Sequence, residues 1–313
     1  MIEGRAEEIG GVSATPARPS EAGGKVLLGI GVMLIGIFLF VVNDVMGKWL
    51  VATYTVGQVL LIRSVSGLLM LAPLVRREGL SALLHPQRPR LQFLRVVLSA
   101  LEVASFYAAI AYLPLATVVT IYLAGPIYVT ALAGPLLGEH IGWRRWCAVI
   151  VGFAGVVIAL QPSAETLSAP LLIAIGGSML FAALMIVTRK LRGTSDTVLV
   201  TWQTVATLVF GVVLSPFGWV TPTLRDFCLI AMLGVVATFA HLCVNRSLKL
   251  APAAVVVPYQ YTQIAWAVLL GWLVFGDIPQ ASVFIGSAII VGAGLYIFLR
   301  EQKLARAKAP GQA

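Results

Sequence analysis

Ten long apolar stretches constrain the fold of this chain more than any other feature. Each has roughly 20 residues or more, the length of helix that crosses the hydrocarbon core of a bilayer. They occupy approximately residues 26–50, 56–75, 93–112, 114–137, 143–161, 168–189, 197–215, 227–248, 252–275 and 281–299. The sequence therefore predicts an all-α polytopic membrane protein with ten transmembrane helices.

Composition agrees with this prediction and excludes an ordinary cytosolic enzyme. Charged residues make up 11% of the chain and mean hydropathy is +0.95, whereas soluble domains carry about 25% charged residues. The net charge of +9 would suit a nucleic-acid partner, but the basic residues lie between apolar stretches, so no such partner is expected. The three cysteines lie in apolar stretches without CxxC spacing and are predicted to be small buried hydrophobes. No metal site and no cofactor is expected.

The basic residues also predict how the chain is threaded. If the N-terminus is cytoplasmic, nineteen of the 22 Lys and Arg residues lie on the cytoplasmic side. Only Lys48 and Arg225 lie outside, and Arg63 lies within the second span. Because cytoplasmic loops are enriched in basic residues, we expect a multi-pass protein of a bacterial inner membrane with both termini cytoplasmic. Residues 1–24 are predicted to be a disordered cytoplasmic tail and residues 301–313 a second cytoplasmic tail.

The chain contains an internal repeat. A shift of 138 residues places 113–119 on 251–257 without a gap, and the halves 25–162 and 168–300 then hold five spans each. An odd number of spans forces the second half to enter the membrane upside down, which predicts two inverted five-helix repeats. Many secondary carriers build two alternating gates around one midplane site in this way. The simpler alternative is that the duplication only makes a stable bundle.

Several short motifs occur in order and in both halves. They are Phe106 to Ala116, Leu137-Gly138-Glu139 with Trp143 to Trp146, Gly152 to Gly155, Tyr259 to Gln263 and Gly271 to Asp277. With this order and duplication, residues 25–300 resemble the EamA type of the drug/metabolite transporter superfamily, whose members carry two copies of a five-helix unit.

This resemblance implies a small-metabolite permease. Members of the family move amino acids, nucleosides, vitamins, adenosylated cofactors and drugs in either direction. The pattern of the first span, Asn43-Asp44 followed by Lys48-Trp49-Leu50, is similar to that of riboflavin or S-adenosylmethionine carriers.

Two opposite charges lie at similar depth in the first two spans. Asp44 is six residues before Leu50, about 9 Å below the outer end of its helix, and Arg63 lies comparably deep in the second span. Because neither charge is stable alone in a membrane, we expect an Asp44–Arg63 pair with Glu102 within reach. The pair could form an outer gate or a clamp for a substrate charge; alternatively, it is a structural ion pair between the two helices. In the second half, Gln203 falls near the position that matches Arg63, so the charge is not duplicated.

Glu102 and His241 are candidates for coupling or gating. A carboxyl group in a dry interior favours its neutral form and can take up and release a proton during a transport cycle. The alternative for Glu102 is a permanently neutral acid that is hydrogen-bonded to another helix. His241 could also exchange a proton, or it could make only a helix–helix hydrogen bond. Asn245, one helical turn on, shares its face and is a candidate for substrate binding.

The fourth and ninth spans, which the repeat pairs, are predicted to supply the other substrate contacts. Tyr259, Gln263 and Trp266 share one helical face, and Tyr122 and Tyr128 lie near the corresponding depth, with Tyr128 matching Trp266 in the repeat. Aromatic walls with amide and phenol groups suit a planar or cationic organic solute. Packing or interfacial aromatic residues are the alternative.

Prolines and acidic residues in the same two spans have structural interpretations. Pro126 and Pro258 interrupt the helices and could act as hinges. Glu139 and Asp277, which match each other in the repeat, are expected to make capping or loop contacts.

Together these features predict a secondary transporter that moves a small organic metabolite by alternating access, with proton coupling as one option. Vitamins such as riboflavin, S-adenosylmethionine, amino acids and nucleosides are the expected solute classes. The alternatives are a membrane-embedded enzyme that acts on lipid-linked substrates, and a channel. HExxH, GxSxG, CxxC and Asp-rich motifs are absent from the sequence, which argues against the enzyme. The expected partners are the solute and the lipid bilayer, and the protein is expected to be a monomer or a homodimer.

Overall fold

The regular structure of the chain is helical. A computed structural model describes residues 19–84, 88–137, 142–161, 168–191, 193–251 and 253–308. These ranges contain thirteen α-helices, one 3-10 segment and no strand, which confirms the predicted fold class. The predictions for Glu139 and for residues 1–18 and 309–313 lie outside the described residues.

The first repeat contributes seven helices. They are α1 (Pro19–Val51), α2 (Val56–Glu78), α3 (Leu80–Leu84), α4 (Pro89–Ile110), α5 (Leu115–Tyr122), α6 (Gly125–Leu137) and α7 (Trp143–Leu160). Helix α1 begins at Pro19, so the N-terminal tail predicted over residues 1–24 is too long at its C-terminal end. We name the end of the bundle with residues 52–55 the outer end and the opposite end the inner end, after the predicted orientation.

The second repeat contributes six α-helices and the 3-10 segment. They are α8 (Ala169–Lys190), α9 (Asp196–Leu214), α10 (Leu224–Leu250), α11 (Ala253–Val256), the 3-10 segment (Val257–Tyr261), α12 (Thr262–Phe275) and α13 (Ala281–Lys308). Helix α13 continues into the stretch that was predicted as a C-terminal tail from residue 301.

Local sequence explains where several of these helices begin. Thr55, Ser195 and Thr223 precede α2, α9 and α10, and each side-chain oxygen accepts a hydrogen bond from the backbone N–H three residues on. Such caps satisfy N–H groups that have no partner within the helix. They position the outer ends of α2 and α10 and the inner end of α9.

Nine helical segments in the described chain are long and apolar enough to cross a bilayer. The remaining predicted span, the ninth, is divided into α11, the 3-10 segment and α12, with Pro258 in the middle piece. Proline breaks a helix because it lacks an N–H and its ring clashes with the preceding turn. The fourth span is interrupted between α5 and α6, at Leu123 and Ala124, which lie 138 residues before Tyr261 and Thr262. The two breaks therefore occupy matching positions in the two repeats.

The packing of the helices reflects the repeat. Helix α2 packs on α9, and α7 packs on α13, so in each case two equivalent helices meet. The extensive α1–α10 and α4–α8 contacts are equivalent to each other, because exchanging the repeats converts one into the other. This pattern is expected when two inverted repeats pack around a pseudo-two-fold axis.

The cysteines differ from their prediction. Cys147 on α7 and Cys228 on α10 are exposed, and Cys243 is partly buried. Many large apolar side chains on the same helices are also exposed, as expected for a surface that faces lipid. The sequence could not show that these cysteines point outward, because spans of a membrane bundle are apolar on every face.

Candidate functional site

A buried chain of hydrogen bonds joins four helices in the interior of the bundle. The Arg63 guanidinium on α2 donates to the Tyr107 hydroxyl on α4. That hydroxyl donates to Asn43 Oδ1 on α1 at 3.2 Å, and Asn43 Nδ2 donates to the Leu233 carbonyl on α10 at 2.8 Å. Because unpaired polar groups are costly in a membrane, this chain stabilises the contact between helices of both repeats.

Gly47 on α1 makes room for the Tyr107 ring. A Cβ atom on Gly47 would lie 2.5 Å from Tyr107 Cε1, which is too close for non-bonded carbon atoms. The small residue therefore allows α4 to bring the Tyr107 hydroxyl between Asn43 and Arg63. Tyr107 was not among the candidate residues from sequence, because its aromatic ring is compatible with ordinary packing on any helix.

Asp44, Arg63 and Glu102 lie close enough to interact electrostatically. The three groups therefore lie near one another, and their roles in coupling or gating stay predictions. The direct Asp44–Arg63 ion pair, however, does not form in the described chain, where Tyr107 is the hydrogen-bond partner of Arg63. Asp44 instead lies beside the Gln263 side chain on α12. A tyrosine bridge replaces the ion pair, since α4 places a hydroxyl beside the guanidinium.

The aromatic candidates divide into two groups. Trp266 packs edge-on against Phe38 at 5.1 Å between ring centroids, and Tyr259 also packs on the cluster that contains residues of α1. The face of Tyr259, Gln263 and Trp266 is therefore directed towards α1. Tyr122 lies beside Glu102, with its hydroxyl 3.4 Å from the Glu102 backbone oxygen.

Tyr128 does not join this group. Its side chain is 6% exposed and packs in a separate cluster with residues of α7 and α13, 5.2 Å from the Phe153 ring. Although Tyr128 and Trp266 match in the repeat, the break in each span and the neighbouring helices place them in different surroundings. A contact between Tyr128 and solute stays a prediction from sequence alone.

A polar cavity of about 40 Å³ lies between α2, α4, α9 and α10. Arg63 from the first repeat and Gln203 and His241 from the second line it, together with several threonines. His241 packs edge-on against Phe40, with 4.7 Å between the ring centroids. Asn245 is partly buried one turn further along α10. The volume is that of a few water molecules, so the cavity in this state accommodates a small polar group and not a whole metabolite.

Arg95 is a second basic group in the interior. It is one of the nineteen basic residues that were counted on the cytoplasmic side, but its side chain lies within α4 and is 6% exposed. Its guanidinium donates to Thr188 Oγ1 at 3.0 Å, to the Leu199 carbonyl at 2.9 Å and to Gln203 Oε1 at 3.3 Å. All three partners are neutral. The position of Arg95 inside the apolar span 93–112 was the sequence signal that could have identified it.

Polar contacts between the repeats close the outer end. Lys48 Nζ lies 2.5 Å from Asp277 Oδ2 and 4.6 Å from the centroid of the Phe275 ring. Tyr54 donates to Asp226 Oδ2 at 2.7 Å. That hydrogen bond raises the pKa of Tyr54, because it is lost when the phenol deprotonates.

Another polar contact between the repeats at the outer end lies beside Tyr54. The Gln58 side chain exchanges two hydrogen bonds with the Val220 backbone, at 2.6 and 3.2 Å. Gln58 is fully buried. The expectation that Asp277 makes loop contacts is confirmed, and its ion pair joins α1 to the segment between α12 and α13.

Some contacts between the repeats at the inner end are exposed. Ser195 donates to Glu78 Oε2 at 2.7 Å, and Arg88 donates to the Lys190 carbonyl at 3.2 Å; both hydrogen bonds are exposed. The outer end is thus closed by partly buried polar contacts, and the inner end by these exposed hydrogen bonds together with a buried one from Ser247 on α10 to the Gly29 carbonyl on α1.

Comparisons with known proteins agree with this architecture. The sequence model of the EamA-like transporter family matches residues 27–161 and 168–299. The chain is 28% identical to an S-adenosylmethionine uptake transporter of Rickettsia bellii, over 88% of this chain and 95% of that protein. It is 29% identical to a riboflavin transporter of Rhizobium johnstonii, over 76% and 79%. A pseudopaline exporter of Pseudomonas aeruginosa is 27% identical over 85% and 95%.

One solved crystal structure has the same fold, with a TM-score of 0.59 and 17% identity over 90% of this chain and 99% of the other. The family matches across both halves of the chain, and the apolar helices make it a multi-pass protein of a bacterial inner membrane. It is a transporter rather than an enzyme. The chain therefore belongs to the EamA-like transporter family, within the drug/metabolite transporter superfamily.

Proposed function

We propose that this protein is a secondary transporter that carries a small organic metabolite across the membrane by alternating access, with both termini in the cytoplasm. The proposal rests on one observation, a group of polar side chains from both repeats in the interior of the bundle. The group consists of Arg63 and Asp44 from one repeat and Gln203, His241 and Gln263 from the other. Polar and ionisable groups inside a membrane bundle mark solute pathways, because their cost requires a function or a partner.

The closed outer end supports a conformational cycle. The small cavity cannot hold an adenosylated or flavin compound in this state, so a solute of that size requires the repeats to move apart. Lys48 and Asp277 lie on opposite repeats and would separate when the outer end opens. In such a cycle the contacts at the inner end and those at the outer end break in alternation.

The solute class follows from the walls and from the relatives. The similar proteins are named for S-adenosylmethionine, riboflavin and pseudopaline. The first two compounds carry planar rings, which suit the aromatic residues Tyr122, Tyr259 and Trp266. We propose a planar metabolite of this kind as the solute, with Gln263 as a polar contact and Asn245 at the edge of the pathway.

Glu102 is the proposed coupling residue, and proton-linked transport is the proposed mode. Asp44 and Arg63 act on its charge, and Tyr107 and Tyr122 lie near enough to be affected by it. Adding a proton to Glu102 would change the net charge of the cluster formed by the Asp44 and Glu102 carboxyl groups and the Arg63 guanidinium. A side chain whose protonation changes this net charge can link proton movement to the opening of the site.

Flux in proteoliposomes tests the proposed function. Purified protein is reconstituted, and uptake of labelled S-adenosylmethionine and of riboflavin is measured with and without unlabelled solute inside the vesicles. We expect saturable uptake that accelerates when solute is present on the opposite side. Ohmic conductance without saturation would instead indicate a channel, and chemical conversion of the solute would indicate an enzyme.

Replacing Tyr259 by leucine should weaken solute binding about tenfold, because it removes a ring worth roughly 1 kcal/mol or more in stacking. Leucine keeps apolar volume at the position, so the melting temperature should change little. Trp219→Leu is the control, since Trp219 is 46% exposed and lies between α9 and α10 at the outer end. Equal losses in the two variants would argue against a solute site on the Tyr259 face.

A further inference from the structure

Arg95 joins the two repeats near the inner end of the bundle. It lies six residues after Pro89, the first residue of α4, which is about 9 Å from the inner end of that helix. Its guanidinium donates to Thr188 on α8, and to the Leu199 carbonyl and the Gln203 side chain on α9. All three hydrogen bonds run from the first repeat to the second. They can therefore persist only while α4 stays against α8 and α9.

The positive charge of Arg95 has no counter-charge in the described chain. Its hydrogen-bond partners are all neutral groups. The interior carboxyl groups of Asp44 and Glu102 act on Arg63 instead. The titratable group near enough to be affected by Arg95 is His241, which is not an acid. Since the Arg95 side chain is only 6% exposed, its guanidinium has left water without gaining an ion pair.

A charge buried in this way raises the free energy of the state that buries it. Moving an ion out of water can cost more than hydrogen bonds to neutral groups return, unless an opposite charge lies beside it. When α4 separates from α8 and α9, water reaches the guanidinium and this cost is removed. The hydrogen bonds and the charge thus act in opposite directions. The hydrogen bonds specify the geometry of the closed inner end, and the charge destabilises it.

We propose that Arg95 is a positioning residue that favours the inner-open state of the empty carrier. The outer end differs, because Lys48 and Asp277 form an ion pair there, in which opposite charges compensate each other and favour closure. The empty protein consequently rests with its outer end closed and its inner end open to the cytoplasm. The inference rests on the proposed function and adds to it the resting conformation of the carrier.

Replacing Arg95 by methionine tests the effect of the charge. Methionine keeps apolar volume without a charge, so closing the inner end no longer removes an ion from water. Spin labels at exposed positions 84 and 248, on opposite repeats at the inner end, report the opening in solute-free nanodiscs, in protein without its native cysteines. We expect the ratio of long to short distances to fall about fivefold or more, with no loss in melting temperature. Removing a mere structural cross-link would instead lengthen the distances and lower the melting temperature.

The near-isosteric variant Thr188→Val tests the hydrogen bonds. Valine removes the Oγ1 acceptor that the Arg95 Nε–H uses at 3.0 Å, while the charge remains. The ratio of long to short distances should rise about fivefold, because a charged donor loses its partner in the closed state. In the double variant, Thr188→Val should add little to Arg95→Met, because the donor has gone. Arg88→Met is the control and should leave the distances unchanged, since Arg88 donates an exposed hydrogen bond to the Lys190 carbonyl on α8 from the start of α4.

Both shifts are required. Longer or unchanged distances in Arg95→Met, no rise in Thr188→Val, or an equal shift in Arg88→Met would overturn the proposal. None of these measurements uses a solute, so they separate this inference from the proposed function. The expected shifts in a protein without saturable uptake would count against the carrier function alone. Saturable counterflow without the shifts would count against the role of Arg95 alone.

Discussion

Replacing Glu102 by glutamine is expected to abolish the pH dependence of solute uptake. Glutamine resembles the protonated acid in size and hydrogen bonding but cannot release a proton. Wild-type uptake driven by an inward proton gradient should exceed uptake without a gradient at least tenfold, and the variant should show equal rates under both conditions. Uptake into proteoliposomes with imposed gradients measures both rates.

A matched control removes a different carboxylate. Asp196 lies at the start of α9, where it is 49% exposed and 3.5 Å from Lys249. Asp196→Asn should leave the response to the proton gradient unchanged, because exposed ion pairs contribute little. A Glu102→Gln protein that still responds to the proton gradient would show that Glu102 is not the group that carries the proton.

Reversing one charge of the Lys48–Asp277 pair is expected to prevent closure of the outer end. The side chains are 15% and 29% exposed and join the two repeats at 2.5 Å. Like charges at about 4 Å repel by about 1 kcal/mol in water and by about 4 kcal/mol at an effective dielectric of 20. Asp277→Lys removes the attraction and adds a repulsion of similar size, so it destabilises the closed state by roughly 2 to 8 kcal/mol. Transport should therefore fall at least tenfold.

The exchanged pair provides the decisive comparison. The double variant Lys48→Asp with Asp277→Lys restores attraction and should recover most of the transport, while either single variant remains impaired. Asp196→Lys, which reverses the exposed pair with Lys249 (68% and 49% exposed), should have little effect. If the double variant transported no faster than the single variants, the ion pair would not be what holds the outer end closed.

Hydropathy and the repeat predicted the helices and the positions of the breaks. The apolar length of each span is a property of the sequence alone, and a proline in mid-span removes a backbone hydrogen bond and favours a break. The grouping of Asp44, Arg63 and Glu102 followed from depth, since helix rise converts residue number into distance along the membrane normal.

Rotation of the helices about their axes could not be predicted in the same way. In a membrane span all faces are apolar, so periodicity does not identify the face that turns inward. For this reason Tyr107 was not recognised as the partner of Arg63.

Distances between spin labels at both ends of the bundle test alternating access most directly. Cysteines at exposed positions 52 and 278 report on the outer end, and cysteines at exposed positions 84 and 248 report on the inner end. Cys147, Cys228 and Cys243 are replaced by serine beforehand. Each pair joins the two repeats, and the protein is studied in lipid nanodiscs with and without Asp277→Lys.

In Asp277→Lys, the account predicts longer distances at the outer end together with shorter distances at the inner end, and wild-type distances in the exchanged double variant. Unchanged distances at both ends, or lengthening at both ends together, would contradict a carrier whose two repeats open one side of the membrane as they close the other.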